Sequence, residues 1–240
     1  MSKTFKILSL LLTYPNEEIQ AAAGEMKAVL AAEKLVPANV LEGLSGLLDE
    51  LAKGDLYDLQ ERYVLLFDRS RSLSLHLFEH IHGESRDRGQ ALVDLGEHYE
   101  SHGLELRPQE LPDFLPLFLE FLSTRPLPEA RELLDQPLHV IAALGERLRK
   151  RRSAYAWVML ALEAVAKGKP VRAELEELLA APDEDPEDLE ALDRAWEDQP
   201  VTFGPAGPGG VAGGMAPGGG CPAVRDTLAR MDPPADTKPQ

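Results

Sequence analysis

The sequence predicts an all-α helical bundle. Apolar residues recur at three- and four-residue spacing along nearly the whole chain, and alternating apolar–polar runs are almost absent. Glycine and proline mostly fall between the periodic stretches rather than inside them. The expectation is a single domain over 1–200 with about nine to eleven helices joined by short loops, followed by a tail over 204–240.

The first helix is expected over 3–13. Lys3, Lys6 and the run Ile7–Leu12 imitate a signal peptide, and Ala21-Ala22-Ala23 imitates a cleavage site. That apolar run is too short to cross a bilayer and is broken by Ser9, and Asn16-Glu17-Glu18 intervenes before the alanines. An amphipathic helix ending near Pro15 fits better. The second helix runs over 16–35 and is stopped by Pro37. The third covers 38–53 and closes at Gly54. Asp55 then caps a helix in which Leu56, Leu59, Tyr63 and Leu66 share one stripe.

A shorter helix over 73–82 is closed by Gly83, and another over 85–102 by Gly103. Beyond a loop containing Pro108, Pro112–Thr124 is strongly apolar, with Pro116 kinking or delimiting it. Pro126, Pro128 and Pro137 punctuate the next segment. Residues 138–151 and 153–167 form a helical pair that ends at Gly168. Two acidic helices follow, at 171–180 and 186–197. From Gly204 to Gly220 the chain is mainly Gly, Pro and Ala, too poor in apolar side chains to offset ordering entropy. The tail is therefore expected to be disordered, with Cys221 inside it.

Composition narrows the partners. With 25 Lys+Arg against 41 Asp+Glu, the net charge is −16, which repels phosphate backbones and anionic membranes and favours basic partners. The segment 171–200 alone carries −10 of this. Arg147, Arg149, Lys150, Arg151 and Arg152 form the one basic cluster; the end of a helix explains it through the macrodipole, without nucleic acid. One cysteine excludes an internal disulfide framework or a Cys-rich metal site and suits a reducing compartment.

His76-Leu77-Phe78-Glu79-His80 matches H-x-x-E-H, the pattern of a zinc peptidase in which two histidines hold the metal and the glutamate activates water. On a helix over 73–82, all three side chains fall on the arc opposite Leu77 and Ile81. A catalytic zinc needs a third ligand and an open position, and nothing singles out Glu97, Glu100 or Glu120. The zinc-dependent hydrolase is the alternative reading. Gly83-Glu84-Ser85-Arg86-Asp87 starts like a nucleophile elbow but has Asp87 in place of the second glycine and no preceding strand. Residues 207–220 are glycine-rich but lack the lysine of a phosphate-binding loop. The polar run from Glu84 to Gln90 reads equally as a solvated helix start capped by Ser85 or as a pocket lined by both charge signs.

The stretch Tyr63–Arg69, the long run Ser74–Gln90, Glu110–Leu117 and Leu119–Leu122 together resemble the NarJ family of nitrate reductase assembly chaperones. That family is a branch of the TorD/DmsD group of redox-enzyme maturation proteins. The resemblance spans about residues 5–203, including Ala195-Trp196-Glu197 and Pro200–Phe203, and leaves out the Gly/Pro tail. It implies a TorD-like, all-helical, cytoplasmic chaperone with no catalytic activity and no stably bound cofactor. The implied partner is the apo catalytic (alpha) subunit of respiratory nitrate reductase, bound through its leader-like N-terminal peptide. Binding would promote insertion of the molybdenum cofactor and an iron–sulfur cluster and hold the client off its membrane anchor. The motif match implies that Tyr63, Leu66, Phe67 and Phe78 shape an apolar groove. It also implies that Glu79, Glu84 and Asp87 meet the peptide's cations, while Arg86 and Arg88 order the helix junction. Neither nucleic acid nor membrane insertion is expected.

Overall fold

The first helix, α1 (Lys3–Leu11), is the one around which the others close. It packs against α7 (Leu115–Thr124), α2 (Glu17–Glu33) and α10 (Ala156–Val165), and buries Phe5, Ile7, Leu8 and Leu11. Even its polar Ser9 is buried, satisfied by donating to the Pro116 carbonyl at 2.7 Å. The run that imitates a signal peptide is therefore a core helix. Its N-terminus is closed from outside by the Glu33 carboxylate at the end of α2. That group accepts from the Lys3 and Thr4 amides at 2.8 and 2.9 Å and from the Ser2 and Thr4 hydroxyls at 2.6 and 2.7 Å. Four donors thus converge on one carboxylate at the positive end of a helix dipole.

The computed structural model describes residues 2–83, 86–107, 109–181 and 183. Among them are eleven α-helices and one isolated antiparallel bridge, with no named strand. None of these helices is long and apolar enough to cross a membrane. The remaining helices are α3 (Ala38–Lys53), α4 (Leu56–Phe67), α5 (Leu77–His82), α6 (Arg86–Ser101), α8 (Leu127–Asp135), α9 (Leu138–Lys150) and α11 (Arg172–Ala180). The expected helix at 186–197, the tail and Cys221 lie outside the described residues.

The caps follow the sequence closely. Asn16 accepts from the Ile19 amide to start α2, and Asp55 accepts from Tyr57 and Asp58 to start α4. Gly54 ends α3 in an extended rather than left-handed conformation. Glycine is needed there for space, because a Cβ would lie 2.9 Å from the Glu50 carbonyl. Pro116 sits in the first turn of α7, where a missing N–H leaves no bond unmade, so it starts the helix instead of kinking it.

Two expectations need correction. Residues 127–135 form α8, although Pro126, Pro128 and Pro137 suggested only punctuation; Pro126 precedes the helix and Pro128 occupies its first turn. The helix expected over 73–82 begins only at Leu77. Arg71–Leu73 is a single 3-10 turn, and His76 is extended.

A second buried helix, α9, packs against α10, α11, α5 and the 3-10 turn. Its partner α10 also packs on α3, where the half-buried Trp157 lies directly over Gly43. A Cβ at position 43 would fall 2.0 Å from a ring carbon of Trp157, so only glycine lets α3 and α10 approach this closely. Gly43→Ala should therefore lower stability by about 1–3 kcal/mol through overpacking, read as a lower urea midpoint with a shifted Trp157 emission. The Glu33 cap carries a pH signature. Burial raises the carboxyl's pKa, but hydrogen bonds from Ser2, Thr4 and the Lys3 amide outweigh that and leave it lowered. Its contribution is present above the ordinary carboxylate value and disappears as pH falls through the lowered one. Glu33→Ala should cost about 1–2 kcal/mol at neutral pH, and the gap to wild type should close as urea titrations are repeated toward pH 3.

Candidate functional site: a cavity walled by the 68–76 segment

The connection between α4 and α5 reads Asp68-Arg69-Ser70-Arg71-Ser72-Leu73-Ser74-Leu75-His76. Leu73, Leu75 and Leu77 are buried at two-residue intervals, and Ser70, Ser72 and Ser74 are buried as well. The serines satisfy themselves locally: Ser70 and Ser72 hydroxyls lie 2.6 Å apart, and the His76 amide donates to Ser74 Oγ at 3.2 Å. Such local bonds compete with helix. The segment instead pairs with residues 113–115. Leu115 N–H donates to the Leu75 carbonyl at 2.8 Å, and Leu77 N–H to the Asp113 carbonyl at 3.0 Å, around the His76–Phe114 bridge.

Asp113 is fully buried. Its carboxylate accepts from the Phe78 amide at 3.1 Å, lies 3.2 Å from His76 Nδ1, and faces Arg88 Nη2 at 3.9 Å. Because His76 supplies no side-chain cap of its own, Asp113 caps α5 from another part of the chain. Arg88 in α6 also donates to Glu79 at 3.1 Å, tying α5 to α6. Gly83 ends α5 at φ +56°, a conformation that suits glycine.

These pieces surround a cavity of about 400 Å³, lined by Phe67, Asp68, Arg69, Ser70, Arg71, Ser74, His76, Glu79, Gly83 and Arg88. The Asp68 side chain lines it, exposed and with no hydrogen bond or ion pair among the described residues; partial burial raises its pKa, while nearby His76 acts in the other direction.

Of the residues expected to shape the site, Phe67, Glu79 and Arg88 line this cavity. Tyr63 and Leu66 are core residues behind it. The Tyr63 hydroxyl donates to the Leu12 carbonyl at 2.8 Å, and its ring stacks in a cluster with Tyr14, Phe67 and Tyr155. Phe78 is half-buried, with its ring 5.6 Å from that of His82. Asp87 is exposed on α6. Glu84 and the Arg86 side chain lie outside the described residues. Asp68, Ser74 and Asp113 are not singled out by the sequence, and His76 is singled out there only as a candidate zinc ligand; the period-two spacing of Leu73, Leu75 and Leu77 is the signal for the segment that brings them together.

The H-x-x-E-H pattern has no metal-binding geometry. His76 is extended and turned to Asp113, Glu79 is held by Arg88, and His80 Nε2 lies 2.8 Å from the Ser74 carbonyl. A carbonyl only accepts, so Nε2 carries the proton. Burial holds the His80 imidazole below its ordinary pKa against the Ser74 hydrogen bond, with the Arg147 charge adding to the depression. Among the described residues, no group of three or more His, Cys, Asp or Glu is arranged to hold a metal.

A family model described as the nitrate reductase delta subunit matches residues 16–160. The chain belongs to that family. The family's span runs from the cap of α2 into α10, so it contains the whole cavity and Asp113. Relatives include the nitrate reductase molybdenum cofactor assembly chaperone NarJ of Escherichia coli K12, 43% identical over 82% of this chain and 83% of that one. Another is the "Probable nitrate reductase molybdenum cofactor assembly chaperone NarW" of the same strain, 36% identical over 82% of each. A solved structure from Archaeoglobus fulgidus, named for redox enzyme maturation, aligns with a TM-score of 0.49 at 23% identity, covering 68% of this chain and 91% of that one. The two Escherichia coli relatives are named as chaperones, not as enzymes.

Within the family's span, Asp113 carries the geometry of the cavity wall. Asp113→Ala should destabilise the fold by about 2–4 kcal/mol, because it leaves the Phe78 amide unmet and Arg88 without a buried counter-charge. Amide exchange should accelerate at 77–82 well before it does in α1.

Proposed function

We propose that this chain is a cytoplasmic, non-enzymatic chaperone for the catalytic (alpha) subunit of respiratory nitrate reductase. It binds that subunit's N-terminal peptide before the molybdenum cofactor and the iron–sulfur cluster are inserted, and it defers docking of the client to the membrane. The observation that carries this reading is the 43% identity to a named assembly chaperone over 82% of the chain. The cofactor is cargo of the client, and the chaperone holds none stably.

The cavity supports a peptide ligand in a particular way. At about 400 Å³ it lies toward the small end of ligand sites, roughly 300–1,000 Å³, and takes one or two side chains of a longer segment. Phe67 supplies an apolar wall. Glu79 is engaged by Arg88, so its role is to hold the α5–α6 junction. Asp68, whose carboxylate has no partner among the described residues, is the acceptor for a client lysine or arginine, and such a pair relieves a carboxylate that partial burial disfavours. Tyr63 and Leu66 act by fixing the helix that presents Phe67 and Asp68. By the motif, Glu84 and Asp87 meet the peptide's cations and Arg86 orders the junction.

The remainder of an amphipathic peptide lies in a helix-in-groove manner beside the cavity. Three or four buried anchors contribute about 1.5–3 kcal/mol each, roughly 5–12 kcal/mol gross. Association and peptide ordering subtract from this, which leaves binding in the micromolar to submicromolar range.

Calorimetry with a synthetic peptide of the client's N-terminus tests the reading. Binding should weaken as salt rises, and Asp68→Asn should weaken it by about 5–10-fold without moving the urea midpoint. Absence of heat or of any spectral shift at high micromolar peptide in low salt would overturn peptide recognition. Normal binding by Asp68→Asn would remove that residue from it.

A further inference from the structure

The last described helix, α11, is held differently from the rest of the bundle. It buries no residue fully, although Leu178 packs partly against the core. Polar contacts fasten it along its length: Glu174 to His139 Nδ1 at 3.2 Å, the Leu178 carbonyl to Arg147 Nη2 at 2.6 Å, and, just beyond the helix, Asp183 to Arg151 Nη2 at 2.9 Å. Between α11, α9 and α5 lies a second cavity of about 430 Å³, lined in part by His80, Ile81, His139 and Leu178. An element seated over unfilled space by polar contacts belongs to the low-stability end of a fold.

Those same contacts reach the first cavity. Arg147 and Arg151 stand one turn apart at the end of α9, and each holds two segments at once. Arg147, itself buried, donates through Nη1 to the Ser72 carbonyl at 2.7 Å while Nη2 holds Leu178. Arg151 donates to Ser72 Oγ at 3.2 Å and to Asp183, and Ser72 Oγ also donates to Asp183 at 3.0 Å. Ser72 sits between Ser70 and Ser74, both of which line the first cavity. The 70–74 segment and the end of α11 are therefore clamped onto one another through a pair of buried or nearly buried guanidinium groups. Such groups lose heavily when an acceptor leaves.

We propose that α11 is a releasable strap whose docking is coupled, through Arg147 and Arg151, to the conformation of the segment that walls the client cavity. Its biological consequence rests on the peptide-binding reading: a client that orders 70–76 also seats α11, and a partner that lifts α11 loosens the client's wall, since coupling between sites is reciprocal. The coupling itself is a property of the free chain.

Hydrogen–deuterium exchange on the full chain, without peptide, tests it. Asp183→Ala should speed exchange at 172–180 by at least tenfold and at 70–76 by several-fold. Ser72→Ala, on the other side of the clamp, should speed exchange at 172–180 to a similar degree. Protection in α1 and α7 should be unchanged in both. Acceleration confined to the segment that carries each substitution would overturn the proposal. If Asp183→Ala loses α1 protection, Asp183→Asn replaces it under the same criterion. Because no peptide is present, a chain that binds no client can still show the coupling, and a chain that binds client can fail to show it.

Discussion

One buried carboxylate organises the functional end of this molecule. Asp113 is fully enclosed, and it serves the α5 amide terminus, the His76 ring and, at longer range, Arg88. A helix of six residues has little stability of its own, and α5 has no side-chain cap from its own sequence. The carboxylate provides one from 35 residues away. Through Arg88 the same arrangement reaches Glu79 and fixes the angle between α5 and α6. A carboxyl group without solvent is tolerated here because the Phe78 amide, the His76 ring and the Arg88 guanidinium surround it.

Behind that wall, residues divide between architecture and contact in a way that the linear motif conceals. Tyr63, Leu66 and Phe67 are neighbours on α4, yet the first two face the core and only Phe67 also lines the cavity. The Tyr63 hydroxyl is spent on the Leu12 carbonyl, and its ring bridges Tyr14 to Phe67. A substitution there would alter the cavity by moving α4 rather than by removing a lining side chain. The basic cluster at the end of α9 divides similarly. Arg149 is an exposed surface cation paired with Glu146, whereas Arg147 is buried and spans two segments. The helix macrodipole accounts for cations at this end of α9, but not for the burial of one of them.

Most helices were legible in the sequence because their information is local. Asn16 and Asp55 cap the helices they precede, and the apolar stripes of α3, α4 and α9 face the core. The segment at 73–76 was misread because its structure depends on a partner about 38 residues downstream. Leu73, Leu75 and Leu77 have strand spacing, but with Phe78 and Ile81 following, the same letters also fit a helix. Only the pairing with 113–115 decides between them. The H-x-x-E-H match failed with it: once His76 leaves the helix, the two histidines no longer share a face. Helix α8 was hidden for a different reason. Three prolines in twelve residues read as interruption, yet one precedes the helix, one sits in its first turn and one follows it, the positions where proline does least harm. Asp113 was visible as a letter but not as a role, since nothing local distinguishes a cap in trans from a solvated loop aspartate.

The charge distribution also separates into two functions. Segment 171–200 carries −10 of the net −16, while the cavity lining mixes Asp68 and Glu79 with Arg69, Arg71 and Arg88. A field screened over about 8 Å at physiological salt guides the approach of a basic segment but adds little once the two are in contact. On the proposed reading, the cavity's mixed lining does not attract by net charge and selects by where each sign stands. Glu79 is paired with Arg88, and the Asp68 carboxylate has no hydrogen bond or ion pair among the described residues. Attraction and recognition, on that reading, belong to different residues, and salt should act on the first far more than on the second. On the same proposed reading, an acidic protein gathers basic segments quickly and retains those whose cation reaches Asp68 as an apolar side chain meets Phe67.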